Sequence, residues 1–196
     1  MKTYKLNDLN NPLISVLMPA YNAEKYIKEA IESILNQTFS NFEFIIIDDG
    51  SIDATEEIIK SFKDSRIVYI KNEKNLGLIK TLNKGISIAR GEFIARMDSD
   101  DISMPQRFEL QLDVFKKYKG VDIVNVALKK MSEDGTKLSK YRHNIYPGFE
   151  AIHYLINIDT FIVHPGVLVK ACLLKKYRYR AVSYTHLRAH ETELHL

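Results

Sequence analysis

The feature that most constrains the fold of this chain is a regular alternation of short apolar runs with amphipathic segments between residues 14 and 126. The apolar runs have the length of strands and carry little charge, which is typical of parallel strands buried on both faces. The segments between them repeat apolar residues every three or four positions, as Ile27, Ile31 and Ile34 do, and this spacing predicts helices with one buried face. Strands are predicted at 14–18, 42–47, 66–70, 92–97 and 121–126.

Strands that alternate with helices through short loops predict an α/β fold, with a mostly parallel sheet covered by helices on both faces. Pro19 is expected to stop the first strand, Asn22 to cap the helix after it, and Asp53 to cap the next helix. Beyond residue 127 the pattern weakens, to a turn at 133–135, a helix at 149–156 and a strand at 166–170. No linker interrupts the chain, so residues 1–181 are interpreted as one domain.

Composition excludes several classes of protein. With 196 residues, 45% of them hydrophobic, the chain can build one sizeable core and is not disordered. The single cysteine, Cys172, excludes an internal disulfide framework and any multi-cysteine zinc or iron–sulfur site. The 28 basic and 25 acidic residues give a net charge of +3, which is too balanced to indicate a nucleic-acid partner.

The first 11 residues are polar, and no apolar run is long enough to cross a membrane. We therefore expect a cytoplasmic protein. Peripheral association with the inner face of the plasma membrane and oligomerisation are left open.

Two clusters of carboxylates follow two of the predicted strands. Asp48 and Asp49 come after the second strand, and Asp98, Asp100 and Asp101 come after the fourth. Ligands of an open parallel sheet bind beyond the carboxyl ends of its strands, so both clusters are placed where a ligand would sit. Five carboxylates close together repel one another unless a cation neutralises them, and oxygen ligands favour Mn²⁺ or Mg²⁺.

Mg²⁺ typically shares its ligands with substrate phosphates, so the pattern indicates a nucleotide-dependent transferase. Taken alone, an Asp-Asp-Gly-Ser segment is more often a turn before a helix, and a lone pair of aspartates one residue apart is equally weak. The functional interpretation depends on the two clusters meeting at the same edge of the sheet.

At this point the chain resembles the family 2 glycosyltransferases, which have the GT-A fold. The resemblance covers about residues 14–176 and does not specify the sugar. It is carried by an ordered set of motifs: the first strand with Pro19 and Tyr21, Asp48-Asp49-Gly50-Ser51, Asn75-Leu76-Gly77, the 89–101 segment with Asp98 and Asp100, and Pro105-Gln106-Arg107.

The resemblance implies roles for residues near the nucleobase. Pro19 and Tyr21 match the segment that lines the base, where the ring of Tyr21 packs on uracil or serves only as ordinary packing. Asp49 matches the residue that accepts a hydrogen bond from a pyrimidine N3–H, and Asp48 supports it.

The resemblance also implies roles around the diphosphate. Lys80 is a candidate partner of the phosphates, with a solvated lysine as the equal alternative. Asp98 would hold the ribose hydroxyls and Asp100 would bind the metal ion, Mn²⁺ or Mg²⁺. Asp101 would contact the sugar or the residues around the metal.

The implied reaction is an inverting, single-displacement transfer. A sugar would pass from a nucleoside-diphosphate sugar, most commonly a UDP-sugar, to a hydroxyl of a glycan or lipid-linked acceptor in bacterial surface polysaccharide synthesis. The metal ion stabilises the charge on the leaving diphosphate, and a general base activates the acceptor hydroxyl.

The chain departs from the family pattern at the position of that base. The family's acidic pair follows a Gly-Gly-Tyr-like segment, which residues 175–180 approach, but the chain from about Val182 resembles the translation of a sequencing adaptor. The tail residues Glu191 and Glu193 are therefore not assigned as the base, and three tail histidines are not assigned to a metal site: His186, His190 and His195. His164 is a candidate for the acceptor side or a structural imidazole at a strand start.

We therefore expect the donor half of the site to be present, the catalytic base to be missing and transfer to be impaired. The main alternative is a catalytically inactive nucleotide-binding module. A receiver-type phosphorylation switch is disfavoured because Met18-Pro19 stands where its acidic pair would be. A dinucleotide-dependent oxidoreductase is disfavoured because no Gly-x-Gly-x-x-Gly follows the first strand.

Overall fold

Strands and helices alternate along the first part of the chain, as the sequence predicts. The computed structural model describes residues 11–127, 129–132, 138–140 and 164–180. The alternating elements are β1 (Ile14–Ala20), α1 (Ile27–Leu35), β2 (Phe42–Asp48), α2 (Thr55–Ser61), β3 (Ile67–Lys71), α3 (Leu78–Ile88), β4 (Phe93–Arg96), α4 (Arg107–Lys117) and β5 (Ile123–Val124).

The later described elements are shorter. They are β6 (Lys129–Met131), β7 (Leu138–Lys140), a 3₁₀ turn (His164–Gly166), β8 (Leu168–Lys170) and α5 (Ala171–Tyr177). β6 and β7 pair antiparallel, as expected of strands on either side of a turn at 133–135. That turn itself, the helix predicted at 149–156 and the tail from residue 182 lie outside the described residues.

The main sheet has six strands in the order β3-β2-β1-β4-β8-β5. The first four of these are parallel, and β8 runs antiparallel between β4 and β5. The predicted α/β class with a mostly parallel sheet is therefore confirmed. The insertion of β8 beside β4 brings the 3₁₀ turn against the strand that precedes Asp98.

The core lies on both faces of this sheet. Every residue of β1 and β2 is buried. Phe42, Phe44 and Ile46 pack on the face covered by α1 and α4, whereas Ile45 and Ile47 pack on the face covered by α3 and α5. Because neither face of these strands meets water, the sequence shows continuous apolar runs instead of alternation.

Two local predictions at the end of β1 are wrong. β1 does not stop at Pro19 but continues to Ala20 in register with β2, while its pairing with β4 ends at Leu17. The carbonyl of Leu17 points toward β4 and accepts the Met97 N–H. The backbone of Pro19, two residues later, points to the same side, but the pairing with β4 has already ended there. Its missing N–H therefore removes no sheet hydrogen bond.

Asn22 does not cap α1, which begins at Ile27 without a side-chain cap. Asn22 has a positive φ of 47°, and its Oδ1 accepts the N–H of Ile52 at 3.0 Å. It thus ties the loop after β1 to the loop after β2. Asp53 is not the N-cap of α2 either: Ala54 occupies that position and α2 has no side-chain cap, although Asp53 Oδ1 accepts the Thr55 N–H at 3.0 Å just before the helix.

Candidate functional site

Both acidic segments stand at the same edge of the sheet, one on each side of β1. β2 and β4 flank β1 in parallel, with Ala20 in register with Asp48 and Leu17 in register with Arg96. Since neighbouring strands are about 4.8 Å apart, the two segments begin roughly 10 Å from each other across β1. The carboxyl edge therefore has the arrangement that a strand-end ligand site requires.

Asp98, Asp100 and Asp101 form a compact acidic cluster after β4. Each offers a carboxylate oxygen within 4.8 Å of the other two. Burial, together with the charges of Asp98 and Asp100, raises the pKa of Asp101 to about 6. Three mutually repelling carboxylates at this spacing are a donor set that fits a hard divalent cation such as Mg²⁺ or Mn²⁺.

Asp48 shapes its own turn and does not join this cluster. Its Oδ1 accepts the Ser51 N–H at 2.8 Å, and its Oδ2 accepts the hydroxyl of Tyr69 at 3.3 Å. Gly50 completes the turn with φ of 78°, and a Cβ at this position would lie 2.7 Å from the carbonyl carbon of Lys74. Only glycine fits so close a backbone approach.

Asp49 organises the loop that leads into α3. Only 4% of the residue is exposed. Its Oδ1 accepts Asn72 Nδ2 at 2.7 Å and the Leu76 N–H at 3.0 Å, and its Oδ2 accepts the Gly77 N–H at 2.9 Å. The expectation that one cation neutralises five carboxylates is thus corrected: three form the cluster, and protein donors satisfy the other two.

The predicted residues around the nucleobase and diphosphate differ in exposure. Pro19 is buried in β1, whereas the side chain of Tyr21 is half exposed at the strand end, with 48% of the residue accessible. Lys80 lies exposed on the first turn of α3. Lys84, one turn further along, donates to Asn72 Oδ1 at 2.6 Å and so reaches the Asp49 network instead.

His164 sits in the 3₁₀ turn beside β4 and bonds to a residue that the sequence analysis did not single out. Its Nε2 lies 2.8 Å from the hydroxyl of Tyr179. Burial lowers the pKa of His164 to about 4, and the nearby charge of Arg96 acts in the same direction. The imidazole is therefore neutral at physiological pH.

Asn83 on α3 holds the segment that carries Tyr179. Its Nδ2 donates to the Tyr179 carbonyl at 3.0 Å, and its Oδ1 accepts the Tyr179 N–H at 3.0 Å. Arg178, whose φ of 46° turns the chain after α5, donates to the Asn83 carbonyl at 3.1 Å. α3 therefore connects the loop under Asp49 to the residues beside Asp98.

Two buried arginines near the acidic cluster were given no role in the sequence analysis. Arg96, the last residue of β4, forms an ion pair with Asp98. Arg107 donates from Nη2 to the Arg96 carbonyl at 2.9 Å and from Nε to Gln111 Oε1 at 3.2 Å. For Arg96 the sequence did carry a signal, a charged residue inside the predicted strand at 92–97. A charged side chain is rarely buried in a strand unless it forms an ion pair or hydrogen bonds there.

A mostly parallel α/β sheet with an acidic cluster at its carboxyl edge defines the class of open-sheet α/β proteins, whose ligands bind beyond the carboxyl ends of the strands. The glycosyl transferase family 2 model matches residues 15–178, and the chain belongs to this family. The structure is similar to the crystal structure of residues 1–349 of TarS from S. aureus, with a TM-score of 0.65 and 25% identity over 83% of this chain and 48% of that one.

Two curated relatives illustrate the family around this chain. An uncharacterised glycosyltransferase of Methanocaldococcus jannaschii is 40% identical over 178 residues, which cover 89% of this chain and 61% of the relative. The UDP-Glc:alpha-D-GlcNAc-diphosphoundecaprenol beta-1,3-glucosyltransferase WfgD of Escherichia coli is 37% identical over 123 residues, 60% of this chain and 49% of WfgD. This chain thus spans about half to three fifths of their lengths.

None of the helices in the part of the chain that the structure describes is both long and apolar enough to cross a membrane.

Proposed function

We propose that this chain binds a nucleoside-diphosphate sugar at the carboxyl edge of its sheet, as the donor-binding part of an inverting glycosyltransferase. The observation that carries the proposal is the acidic cluster of Asp98, Asp100 and Asp101, which stands across β1 from the Asp49 loop. A cation held there would face whatever ligand occupies the edge of the sheet between the two loops.

Asp100, the most exposed of the three carboxylates, is the proposed metal ligand. Mn²⁺ or Mg²⁺ held there would supply Lewis-acid stabilisation of the negative charge on the leaving diphosphate. Asp98 is proposed to accept hydrogen bonds from the ribose hydroxyls, and Asp101 to contact the sugar or the groups around the metal. Lys80, which is exposed on α3, is proposed to reach the diphosphate.

Asp49 is proposed to recognise a pyrimidine through its remaining acceptor position. A carboxylate has about four acceptor positions, and Asp49 uses two on Oδ1 and one on Oδ2. One position on Oδ2 is left for a uracil N3–H. The half-exposed ring of Tyr21 and the buried Pro19 complete the proposed base site, and Asp48 supports it by holding the turn after β2.

The relative WfgD supports UDP-sugar as the donor class and a lipid-linked glycan as the acceptor class, since its name states both. We extend this to surface polysaccharide synthesis in the bacterial cytoplasm. A lipid-linked acceptor would bring the protein to the inner face of the plasma membrane as a peripheral partner.

The described residues offer the acceptor no obvious base. The acidic residues at the carboxyl edge are assigned to the donor or to loop structure. His164 is engaged with Tyr179, and burial, together with the charge of Arg96, lowers its pKa. We therefore expect this chain to bind the donor and to transfer sugar slowly or not at all. The second candidate function, a nucleotide-binding module without transferase activity, rests on this same observation.

The test is calorimetric titration of the full chain with UDP, with and without Mn²⁺, beside an assay of UDP-sugar hydrolysis and transfer. We expect UDP binding that depends on Mn²⁺ and that is at least tenfold weaker in D100N. D113N is the matched control, because Asp113 is an exposed aspartate on α4 that pairs only with Lys116 among the contacts described. UDP binding of equal strength in D100N and D113N would contradict the proposed site.

Turnover decides between the two functions. If the chain binds UDP and Mn²⁺ but transfers no sugar from any UDP-sugar, the inactive module is favoured. Turnover near 1 s⁻¹ or faster, as in ordinary enzymes, would show that a base exists that we have not assigned.

A further inference from the structure

Arg96 is almost completely buried, which is unusual for an arginine. It is the last residue of β4, and only 3% of it is exposed. Ile94, two residues earlier, packs on the face of the sheet that α3 and α5 cover. Because side chains alternate along a strand, Arg96 lies on this same face, below the acidic cluster that follows β4.

The guanidinium of Arg96 is only partly satisfied. Its Nη1 forms the ion pair with Asp98, yet neither Nε nor Nη1 has a hydrogen-bond partner among the described residues. Burying a charged group is costly unless it is paired and hydrogen-bonded. The ion pair with Asp98 is therefore the interaction that this buried charge depends on.

Arg107 shows what a structural arginine looks like in the same neighbourhood. Each of its three guanidinium nitrogens has a partner: Nε bonds to Gln111, Nη2 to the carbonyls of Arg96 and Val167, and Nη1 lies 3.6 Å from the sulfur of Met97. Arg107 thus fastens the end of β4 to α4 and to the segment before β8. Arg96 makes no comparable set of bonds and instead faces the acidic cluster.

The groups around Arg96 leave Asp98 as its counter-ion. The neighbours that sense its charge are Asp98, Asp101, His164, Tyr179 and Arg107. His164 and Tyr179 are bonded to each other, and Arg107 carries the same charge as Arg96. Asp98 is the one of these groups that the structure records in an ion pair with Arg96.

We propose that Arg96 is the positioning residue of the acidic cluster: its guanidinium holds the Asp98 carboxylate in the orientation that the metal–nucleotide complex needs. Arg96 touches neither metal nor nucleotide in this proposal and acts through Asp98. The inference rests on the proposed function. It adds a residue on which the geometry of the cluster depends, and it predicts that Arg96 and Asp98 act as a unit.

The test is a double-mutant cycle on the binding of UDP with Mn²⁺, measured by calorimetry. R96K keeps a positive charge but replaces the guanidinium, whose Nη1 forms the ion pair with Asp98, by an ammonium of different shape and reach. We expect R96K to weaken binding about tenfold and D98N to weaken it at least as much. R96K in the D98N background should have no further effect, because the group that Arg96 positions is already altered.

R90K is the matched control, since Arg90 is also paired with a carboxylate, that of Glu43, but lies three residues before β4 and is half exposed. It should bind UDP and Mn²⁺ as the unmodified chain does. Thermal unfolding checks that each variant is folded. A wild-type affinity in R96K, or losses in R96K and D98N that simply add, would overturn the proposal.

If R96K does not fold, the arginine Nε–Hε NMR signals of the unmodified chain and of D98N decide. The signal that D98N displaces should move when Mg²⁺ and UDP are added to the unmodified chain and should stay in place in D98N. No displaced signal, or equal movement in both proteins, overturns the proposal. If the unmodified chain binds no UDP at all, the proposed function fails, and the same comparison with Mg²⁺ alone still tests the ion pair.

Discussion

The two acidic loops at the carboxyl edge have similar sequences but differ in the groups that surround and stabilise their carboxylates. Asp48 and Asp49 are buried, and their carboxylates accept hydrogen bonds from backbone amides, Asn72 and Tyr69. Asp98, Asp100 and Asp101 face one another, and the pKa of Asp101 is raised to about 6. The carboxylates of the first loop are stabilised by hydrogen bonds from the protein, whereas those of the second repel one another and form the proposed cation site. We call them the closed loop (48–51) and the open cluster (Asp98, Asp100 and Asp101).

The comparison also shows how one residue type serves two purposes at one edge. In the closed loop, the carboxylates accept hydrogen bonds from backbone N–H groups and so hold the start of α3 in place. In the open cluster, the arginines below provide part of the countercharge, and the remainder is left to a ligand. The rigid loop and the charged cluster flank the same strand, so the first can position what the second binds.

The largest expected effect is on stability in the closed loop. D49A removes the acceptor of three hydrogen bonds and leaves the Leu76 amide without its recorded partner, while the Gly77 amide keeps only Asn75 Oδ1, so we expect a loss of roughly 3 kcal/mol in the free energy of unfolding. Chemical denaturation measures it. D100A serves as the comparison and should change stability by less than about 0.5 kcal/mol. Equal losses in the two variants would erase the distinction between the two loops.

The next effect is on binding in the open cluster. D100N removes one charge from the proposed donor set for the metal, and we expect UDP to bind at least tenfold more weakly in the presence of Mn²⁺, which is about 1.4 kcal/mol. Metal binding is read independently from the electron paramagnetic resonance signal of free Mn²⁺. Unchanged Mn²⁺ binding in D100N would show that the cluster does not hold the ion.

The open cluster should also make stability depend on pH. The pKa of Asp101 lies above its ordinary value of 3.8, at about 6, so the folded protein binds the proton more tightly than the unfolded chain does. Asp101 therefore stabilises the metal-free fold fully at low pH, and this contribution is lost as pH rises through about 6. Because the carboxyl is partly exposed, we expect about 1 kcal/mol.

The measurement is urea unfolding of the unmodified chain and of D101N at pH 4 and pH 7. The difference in stability between the two proteins should shift in favour of D101N at the higher pH. Saturating Mn²⁺ should reduce that shift, because a bound cation stabilises the ionised cluster. A difference that is the same at both pH values would contradict the assigned repulsion.

The smallest effect concerns an exposed lysine on α3. Lys80 is exposed on α3, so K80A should leave stability unchanged and weaken UDP binding about threefold, or roughly 0.65 kcal/mol. K74A is a matched control on an exposed lysine of the preceding loop. Identical UDP affinities in K80A, K74A and the unmodified chain would identify Lys80 as a solvated lysine.

Much of the fold could be predicted because it depends on local pattern. The apolar runs at 42–47 and 66–70 became β2 and β3 within one residue at each end, since burial on both faces leaves a clear signature. The prediction at Pro19 was wrong because it assumed a partner on both sides of β1, and β4 ends too early to provide one. Asn22 was assigned as a cap for a similar reason: its actual partner, Ile52, is thirty residues away.

The site divides along the same line. The aspartates that follow the predicted strands can be identified in the sequence, and a parallel sheet necessarily brings the ends of neighbouring strands to one edge. That Asp49 is enclosed by Asn72, Leu76 and Gly77 depends on the path of a separate loop. No local pattern reveals how many of a carboxylate's acceptor positions are already used.

From its residues alone the chain defines its alternation of strands and helices, its buried strands and the edge at which its carboxylates gather. These properties can be predicted from the spacing of apolar residues and from chain direction, both of which are apparent within a few consecutive residues. Only the tertiary structure decides that Arg96 pairs with Asp98, that Tyr179 reaches His164 and that Asn83 holds Tyr179 in place. Such contacts join residues brought together by packing, and the strength of an electrostatic interaction depends on distance and burial, which a sequence does not record.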